Sequence, residues 1–155
     1  MKKIGIADTM FARYDMGALA EKTILEAPDN VGIERYTVPG FKDLPVACKK
    51  LFQEHDCDIV MACGMAGGAA IDKQCAHEAS LGLQMVQLLT NKHIIEVFVF
   101  EDESDSAKEL ISIFENRTRK HALNALALLK GKDALRPFAG KGVRQGKDDA
   151  GPVIG

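Results

Sequence analysis

The sequence predicts a single α/β domain: a doubly wound, four-stranded parallel sheet followed by a C-terminal tail. Three observations carry this. Four short apolar segments alternate with four longer segments of helical character, so the chain reads βαβαβαβα. The third apolar segment, Asp-Ile-Val-Met-Ala-Cys at 58–63, is almost continuous in apolar residues, as a parallel strand covered on both faces requires. Finally, 155 residues with 46 % apolar content suffice for one core.

The elements follow in order. Residues 3–8 are apolar-rich and form the first strand. A helix over 14–27 is stopped by Pro28-Asp29-Asn30. Residues 31–38 alternate apolar and polar side chains, which places this second strand near a sheet edge. In the second helix Leu44, Ala47, Cys48, Leu51 and Phe52 recur at i, i+3, i+4, i+7 and i+8, one buried stripe. A third helix spans 72–89, a fourth strand 93–100 and a last long helix 106–129. Right-handed crossovers then put helices on both faces, the flavodoxin-like arrangement. The domain is expected over 1–130, with a tail over 131–155 that packs on the domain or on a neighbouring subunit. The tail is rich in Gly, Lys, Arg and Asp, yet its Ala139-Gly140-Lys141-Gly142-Val143-Arg144-Gln145-Gly146 run is not of low complexity.

The third helix carries Ala76, Ala79, Leu81, Leu83, Met85, Val86, Leu88 and Leu89 around most of its circumference. A helix apolar on more than one face is buried on more than one face, and four helices are too few to bury it within one chain. A subunit interface is the expected explanation. A net charge of −2 argues against a bulk electrostatic nucleic-acid partner. No apolar run approaches membrane-spanning length, and the N-terminus turns into a strand too soon for a signal peptide. Cys48, Cys57, Cys63 and Cys75 form no Cys-x-x-Cys pair, so reduced thiols in the cytoplasm are expected.

Ligands of open α/β sheets bind outside the carboxyl ends of the strands, which directs attention to four segments. After the second strand, Val38-Pro39-Gly40 forms a sharp bend, and Asp43 stands where it can cap the next helix. After the first strand, Asp8 and Thr9 precede Phe11, a ring that suits either the core or stacking on a planar ligand. After the third strand, Gly64-Met65-Ala66-Gly67-Gly68 lets backbone amides approach a flat ligand or an anion. It lacks the Lys-Ser/Thr of a Walker loop and the glycine spacing of a dinucleotide fingerprint. After the fourth strand, Glu101-Asp102-Glu103 reads as a solvated acidic loop and cap.

His77 lies in an otherwise apolar helix, and packing or an interface is its ordinary role, although its titration range also suits proton transfer. Asp72 opens that helix and reads as a cap first. Cys75-x-His77 and His55-x-Cys57 split their ligands between helix faces, so no metal site is expected.

The run Val38-Pro39-Gly40-Phe41-Lys42-Asp43-Leu44-Pro45 resembles the Val-Pro-Gly-x-x-Glu-x-Pro signature of the lumazine synthase superfamily, with Asp43 in place of Glu. Phe11 and the Glu78-Ala79-x-x-Gly82-Leu83 spacing match in order, so the resemblance covers residues 2–130. It departs at Ile71, which stands where lumazine synthases carry a histidine, in a shorter Gly-rich loop without Arg-Gly, and in the added tail. The Ala76-His77-Glu78-Ala79-Ser80-Leu81-Gly82-Leu83 and Thr90-Asn91-Lys92-His93 segments, with the Ala-Gly-Lys-Gly tail, are similar over nearly the whole chain to the archaeal-type riboflavin synthases.

That resemblance implies dismutation of two 6,7-dimethyl-8-ribityllumazine molecules by four-carbon transfer, giving riboflavin and 5-amino-6-(D-ribitylamino)uracil. It also implies a homopentamer with active sites between adjacent subunits. No redox cofactor is then required, and a divalent cation such as Mg²⁺ is left as an optional assistant. Asp8, Thr9, Phe11, Val38, Pro39, Gly40, Asp43, Gly64, Met65 and Gly67 become candidate substrate-binding residues, with Asp43 on the ribityl chain. His77, Asp72, Lys73 and Glu101 are the candidates for proton transfer. Lumazine synthase itself and a non-catalytic lumazine or flavin carrier are the alternatives. A phospho-receiver needs Asp at the end of the third strand, where Cys63 stands.

Overall fold

The computed structural model describes residues 1–154. Strands β1 (Lys3–Thr9), β2 (Gly32–Val38), β3 (Ile59–Ala66) and β4 (Ile94–Phe100) form one parallel sheet in the order β2-β1-β3-β4. Helices α1 (Met16–Glu26) and α4 (Ala107–Leu129) cover one face, α2 (Leu44–Gln53) and α3 (Ala70–Thr90) the other. The predicted α/β architecture and the edge position of β2 are both present.

Side-chain alternation divides the core. Ile4 and Ile6 of β1, with Ile59, Met61, Cys63 and Met65 of β3, meet Met16, Ala20, Phe114 and Leu126. Ala7, Val60, Ala62 and Ala66 face Leu44, Cys48, Leu51, Phe52 and the α3 residues Ala76, Ala79, Leu83 and Val86. The whole predicted stripe of α2 is therefore buried. Gly5 belongs to this second face because a Cβ there would lie 2.9 Å from Val60 and 3.1 Å from Leu51. Burial pushes the Cys48 and Cys63 thiols up, and Cys57 to about 11.

Three local features differ from the sequence reading. β3 runs on to Ala66, taking Gly64 and Met65 out of the expected loop and into the ladder with β4. Pairing of Cys63 with Val97 through Ala66 with Phe100 overrides the weak strand preference of glycine. Gly64 is needed for packing, since a Cβ there would lie 2.6 Å from the Phe41 ring. Second, a 3₁₀ turn, Phe41–Asp43, precedes α2, and Asp43 makes no capping hydrogen bond although it occupies the cap position. Third, α1 starts at Met16 because Asp15 caps it, accepting from Ala18 N–H at 3.0 Å.

Beyond Phe100, a 3₁₀ turn Glu101–Glu103 leads to α4. The tail lies against α4: Asn116 accepts from Gly146 N–H at 2.8 Å, and Lys120 donates to the Arg144 carbonyl at 2.9 Å. Among the described residues no helix is long and apolar enough to cross a membrane.

His121 on α4 has a pH-dependent consequence. Burial, reinforced by the Arg117 charge, pushes its pKa down to about 4. Between its unfolded value near 6.5 and that value, the unfolded chain binds a proton that the folded chain does not. Stability is therefore expected to fall as pH drops from about 6.5 towards 4, by less than about 1.4 kcal/mol per unit because the ring is partly exposed. Asp15 and Glu103 are lowered below the ordinary carboxylate range, so their contributions are present above about pH 4 and are lost only below it. Urea midpoints measured at about pH 7.5, 6 and 5 should show the decline in the native chain and a flatter profile in His121→Gln.

Candidate active site at the carboxyl edge of the sheet

The strand order reverses direction between β1 and β3, and there the sheet splits. The β1/β3 ladder ends with Ala7 beside Ala62, whereas β1 stays paired with β2 to Thr9 and Val38, and β3 with β4 to Ala66 and Phe100. The two central strands diverge at their carboxyl ends, which is how open α/β sheets make a ligand crevice.

A cleft of about 380 Å³ opens at this split on the α2/α3 face. Phe11 enters it from the β1 edge, Pro39, Gly40 and Asp43 from the β2 bend, Met65 and Gly67 from the β3 edge, and Asp72 from α3. Seven positions singled out in the sequence, scattered over more than sixty residues, therefore meet in one cleft. Thr9 lines it as well, with its hydroxyl oxygen buried and without a partner among the described residues.

The bend provides one wall. Gly40 has open space where a Cβ would stand, so nothing in the fold occupies that face of the backbone. Phe41 lies on Gly64 and packs against Phe98 with ring centroids 4.5 Å apart at 60°. Asp43, exposed and free of any capping bond, leaves its carboxylate available to hydroxyl donors. Lys42 and Glu78 pair at 3.0 Å, the hydrogen bond raising the lysine and lowering the carboxyl group.

Not every candidate arrives there. The Asp8 carboxylate faces the other side of the sheet, in a second cleft of about 400 Å³. It accepts from Arg35 at 2.5 Å and from the Thr37 hydroxyl at 2.6 Å. Val38 is buried, and its carbonyl accepts from Met10 N–H at 2.9 Å. Gly64 lies within β3 and supports Phe41.

Of the four candidates for proton transfer, Asp72 lines the cleft, with its carboxylate accepting from Ala69 N–H at 3.2 Å. Lys73 pairs with Asp102 at 2.5 Å, and Glu101 with Arg13 at 2.7 Å. His77 is exposed on α3, one turn before Leu81 on the helix's uncovered apolar stripe.

Sequence reasoning passed over Phe41, Lys42 and Cys75 as lining residues. Phe41 lay inside the motif already singled out, and its position between the bend and the helix start was the available signal. Nothing in the spacing pointed to Cys75. Among the described residues no group of three or more His, Cys, Asp or Glu side chains is placed to hold a metal ion.

Comparison with known proteins identifies the family. The family described as 6,7-dimethyl-8-ribityllumazine synthase matches residues 1–133. The riboflavin synthase of Methanothermobacter thermautotrophicus is 54 % identical over 153 residues, covering 99 % of this chain and all of the relative. Those of Archaeoglobus fulgidus and Aeropyrum pernix are 47 % and 46 % identical, each covering 98 % of this chain and, respectively, 99 % and 98 % of the relative. The family match stops near the start of the tail, whereas the alignments to these archaeal proteins run through it. The chain belongs to the 6,7-dimethyl-8-ribityllumazine synthase family, and within it is similar over nearly its full length to archaeal proteins named riboflavin synthase.

Proposed function

We propose that this chain is a riboflavin synthase that dismutates two molecules of 6,7-dimethyl-8-ribityllumazine to riboflavin and 5-amino-6-(D-ribitylamino)uracil. The observation that carries the reading is the 46–54 % identity to archaeal riboflavin synthases across the whole chain, tail included. Ile71, where lumazine synthases carry a histidine, supports it from within the site region.

The chemistry asks little of a strong base. A carbanion at the lumazine ring methyl delocalises into the pteridine, so holding two flat heterocycles in register is the larger task, and positioning alone contributes much of a bimolecular barrier. Phe11 and the Pro39-Gly40 bend supply flat surface, the Met65–Gly67 edge supplies backbone groups, and Asp43 accepts from the ribityl hydroxyls. Asp72 is the proton-transfer group present in the single-chain cleft. His77, Lys73 and Glu101 take part from the edge that meets a neighbouring subunit.

The working form is a homo-oligomer, a pentamer with sites between subunits, in the cytoplasm. The uncovered stripe on α3 supports assembly. No resident cofactor is required. Rates compared in Mg²⁺ and in chelator measure what a divalent cation adds.

Incubating the purified protein with 6,7-dimethyl-8-ribityllumazine alone and following riboflavin fluorescence tests the reading. Lumazine synthase, the second reading favoured by the family match, would make no riboflavin without further substrates. Asp43→Ala is expected to raise KM more than about tenfold, a bond to a charged acceptor being worth roughly 1.5–3 kcal/mol. Because Asp43 caps nothing, its melting temperature should stay near that of the native protein. Unchanged KM would remove Asp43 from the ribityl site.

A further inference from the structure

One guanidinium holds both ends of the loop that carries Phe11. Nη2 of Arg35, on β2, donates to Asp8 Oδ2 at 2.5 Å and to Asp15 Oδ1 at 2.7 Å. Asp8 lies next to the end of β1, and Asp15 caps α1. The connection between them, 9–14, starts at the last residue of β1, and its Phe11 is 57 % exposed and lines the cleft. Gly17 makes the bridge sterically feasible: a Cβ there would stand 2.5 Å from both Arg35 Nε and Asp8 Oδ2. The first turn of α1 thus gives up a side chain where the guanidinium passes.

Other ties restrain the same loop. Met10 N–H donates to Val38, Arg13 pairs with Glu101, and Tyr14 stacks on Phe114 with centroids 5.6 Å apart. The loop is held at its entry, its exit and one flank, while the Phe11 ring projects free.

We infer that Arg35 is a positioning residue, whose bridge between Asp8 and Asp15 fixes the 9–14 loop and thereby the place of the Phe11 ring in the cleft. An aromatic wall held before the ligand arrives avoids the ordering cost that a mobile loop charges against binding. Arginine suits the task because Nη2 offers one hydrogen to each of the two carboxylates while the other arm, Nη1, lies 3.5 Å from Glu21 on α1. The identity of the ligand rests on the function proposed above; the clamp rests on the loop geometry alone.

Asp15→Ser is the discriminating variant. Serine keeps the α1 cap, being among the preferred residues there, but does not reach Arg35, and the part-buried Asp8/Arg35 pair remains. Hydrogen exchange of the amides in 10–14 should then rise about three- to fivefold, the opening expected from losing a partly exposed ion pair, with residues 19–26 unchanged. Fluorescence titration with 6,7-dimethyl-8-ribityllumazine should show Kd weakened about threefold in Asp15→Ser and more in Phe11→Ala. The double variant should bind no more weakly than Phe11→Ala alone, because both changes act through one ring. Unaltered exchange in the loop, or losses that add in the double variant, would overturn the inference. If the native protein binds no lumazine, the function proposed above falls, and the exchange measurement still decides the clamp.

Discussion

Arg117→Met is expected to lower stability by about 3 kcal/mol and the melting temperature by roughly 10 °C. Arg117 lies on α4 with 12 % of its side chain exposed and directs its fork at Glu103, Nη1 to Oε2 at 2.6 Å and Nη2 to Oε1 at 2.9 Å. Nη1 also donates to the Phe98 carbonyl at 3.0 Å, and Nε to the Gln145 carbonyl at 3.3 Å. One side chain thus joins β4, the turn after it, α4 and the tail. Burial alone would raise the Glu103 carboxyl group, but the Arg117 hydrogen bonds and charge, with the Phe100 N–H, hold it below its ordinary value.

Methionine fills much of the volume and removes the charge, leaving Glu103 desolvated with one backbone donor. Breaking a buried pair from one side costs about 3–5 kcal/mol, and the low end applies because Glu103 keeps some contact with solvent. Two further measurements identify the mechanism. Adding Glu103→Leu to Arg117→Met should recover more than half of the loss, since no stranded charge remains. Amides of 144–146 should exchange faster, because Gly146 packs directly on the guanidinium and Gln145 accepts from it. A melting temperature within a few degrees of the native value would mean that the pair contributes little.

The contrast between Arg117 and Phe11 shows what could be read in advance. Strand and helix order were legible because period-2 and period-3.6 patterns are local properties of the chain, and the α2 stripe was read residue for residue. The candidate cleft was legible in outline for a topological reason: parallel strands deliver all their carboxyl ends to one edge, so motifs far apart in sequence must meet there. Which side of the edge a residue faces was not legible at Asp8, where one step along β1 moves a side chain from one cleft to the other. The end of β3 was misjudged because its last residues are strand only by virtue of pairing with β4. Arg117 and Arg35 carried no local signal. Their roles depend on carboxylates 14 and 27 residues away in the chain, and on glycines that leave room for a guanidinium.

Leu81→Glu or Met85→Glu is expected to dissociate the homo-oligomer proposed above and abolish riboflavin formation together. In the folded chain Leu81, Met85, Leu88 and Leu89 fall at i, i+4, i+7 and i+8 and remain 49 %, 63 %, 84 % and 71 % exposed. The opposite face of α3, Ala76, Ala79, Leu83 and Val86, already covers the sheet, so the exposed stripe adds nothing to the core of one subunit. Covering such side chains is worth roughly 1.5–3 kcal/mol each, a driving force that a neighbouring copy can use. Glutamate at 81 or 85 leaves the isolated subunit nearly unperturbed, because the side chain stays in water and glutamate is a good helix former. In an assembled form the same carboxylate would have to be desolvated without a partner, and separation of the subunits is the cheaper response. Circular dichroism should therefore be unchanged while sedimentation reports a smaller species. His77 sits one turn before Leu81 on the same stripe, so assembly would also bring it against a neighbour. A variant that sediments as a monomer yet still makes riboflavin would show that one chain completes the site unaided.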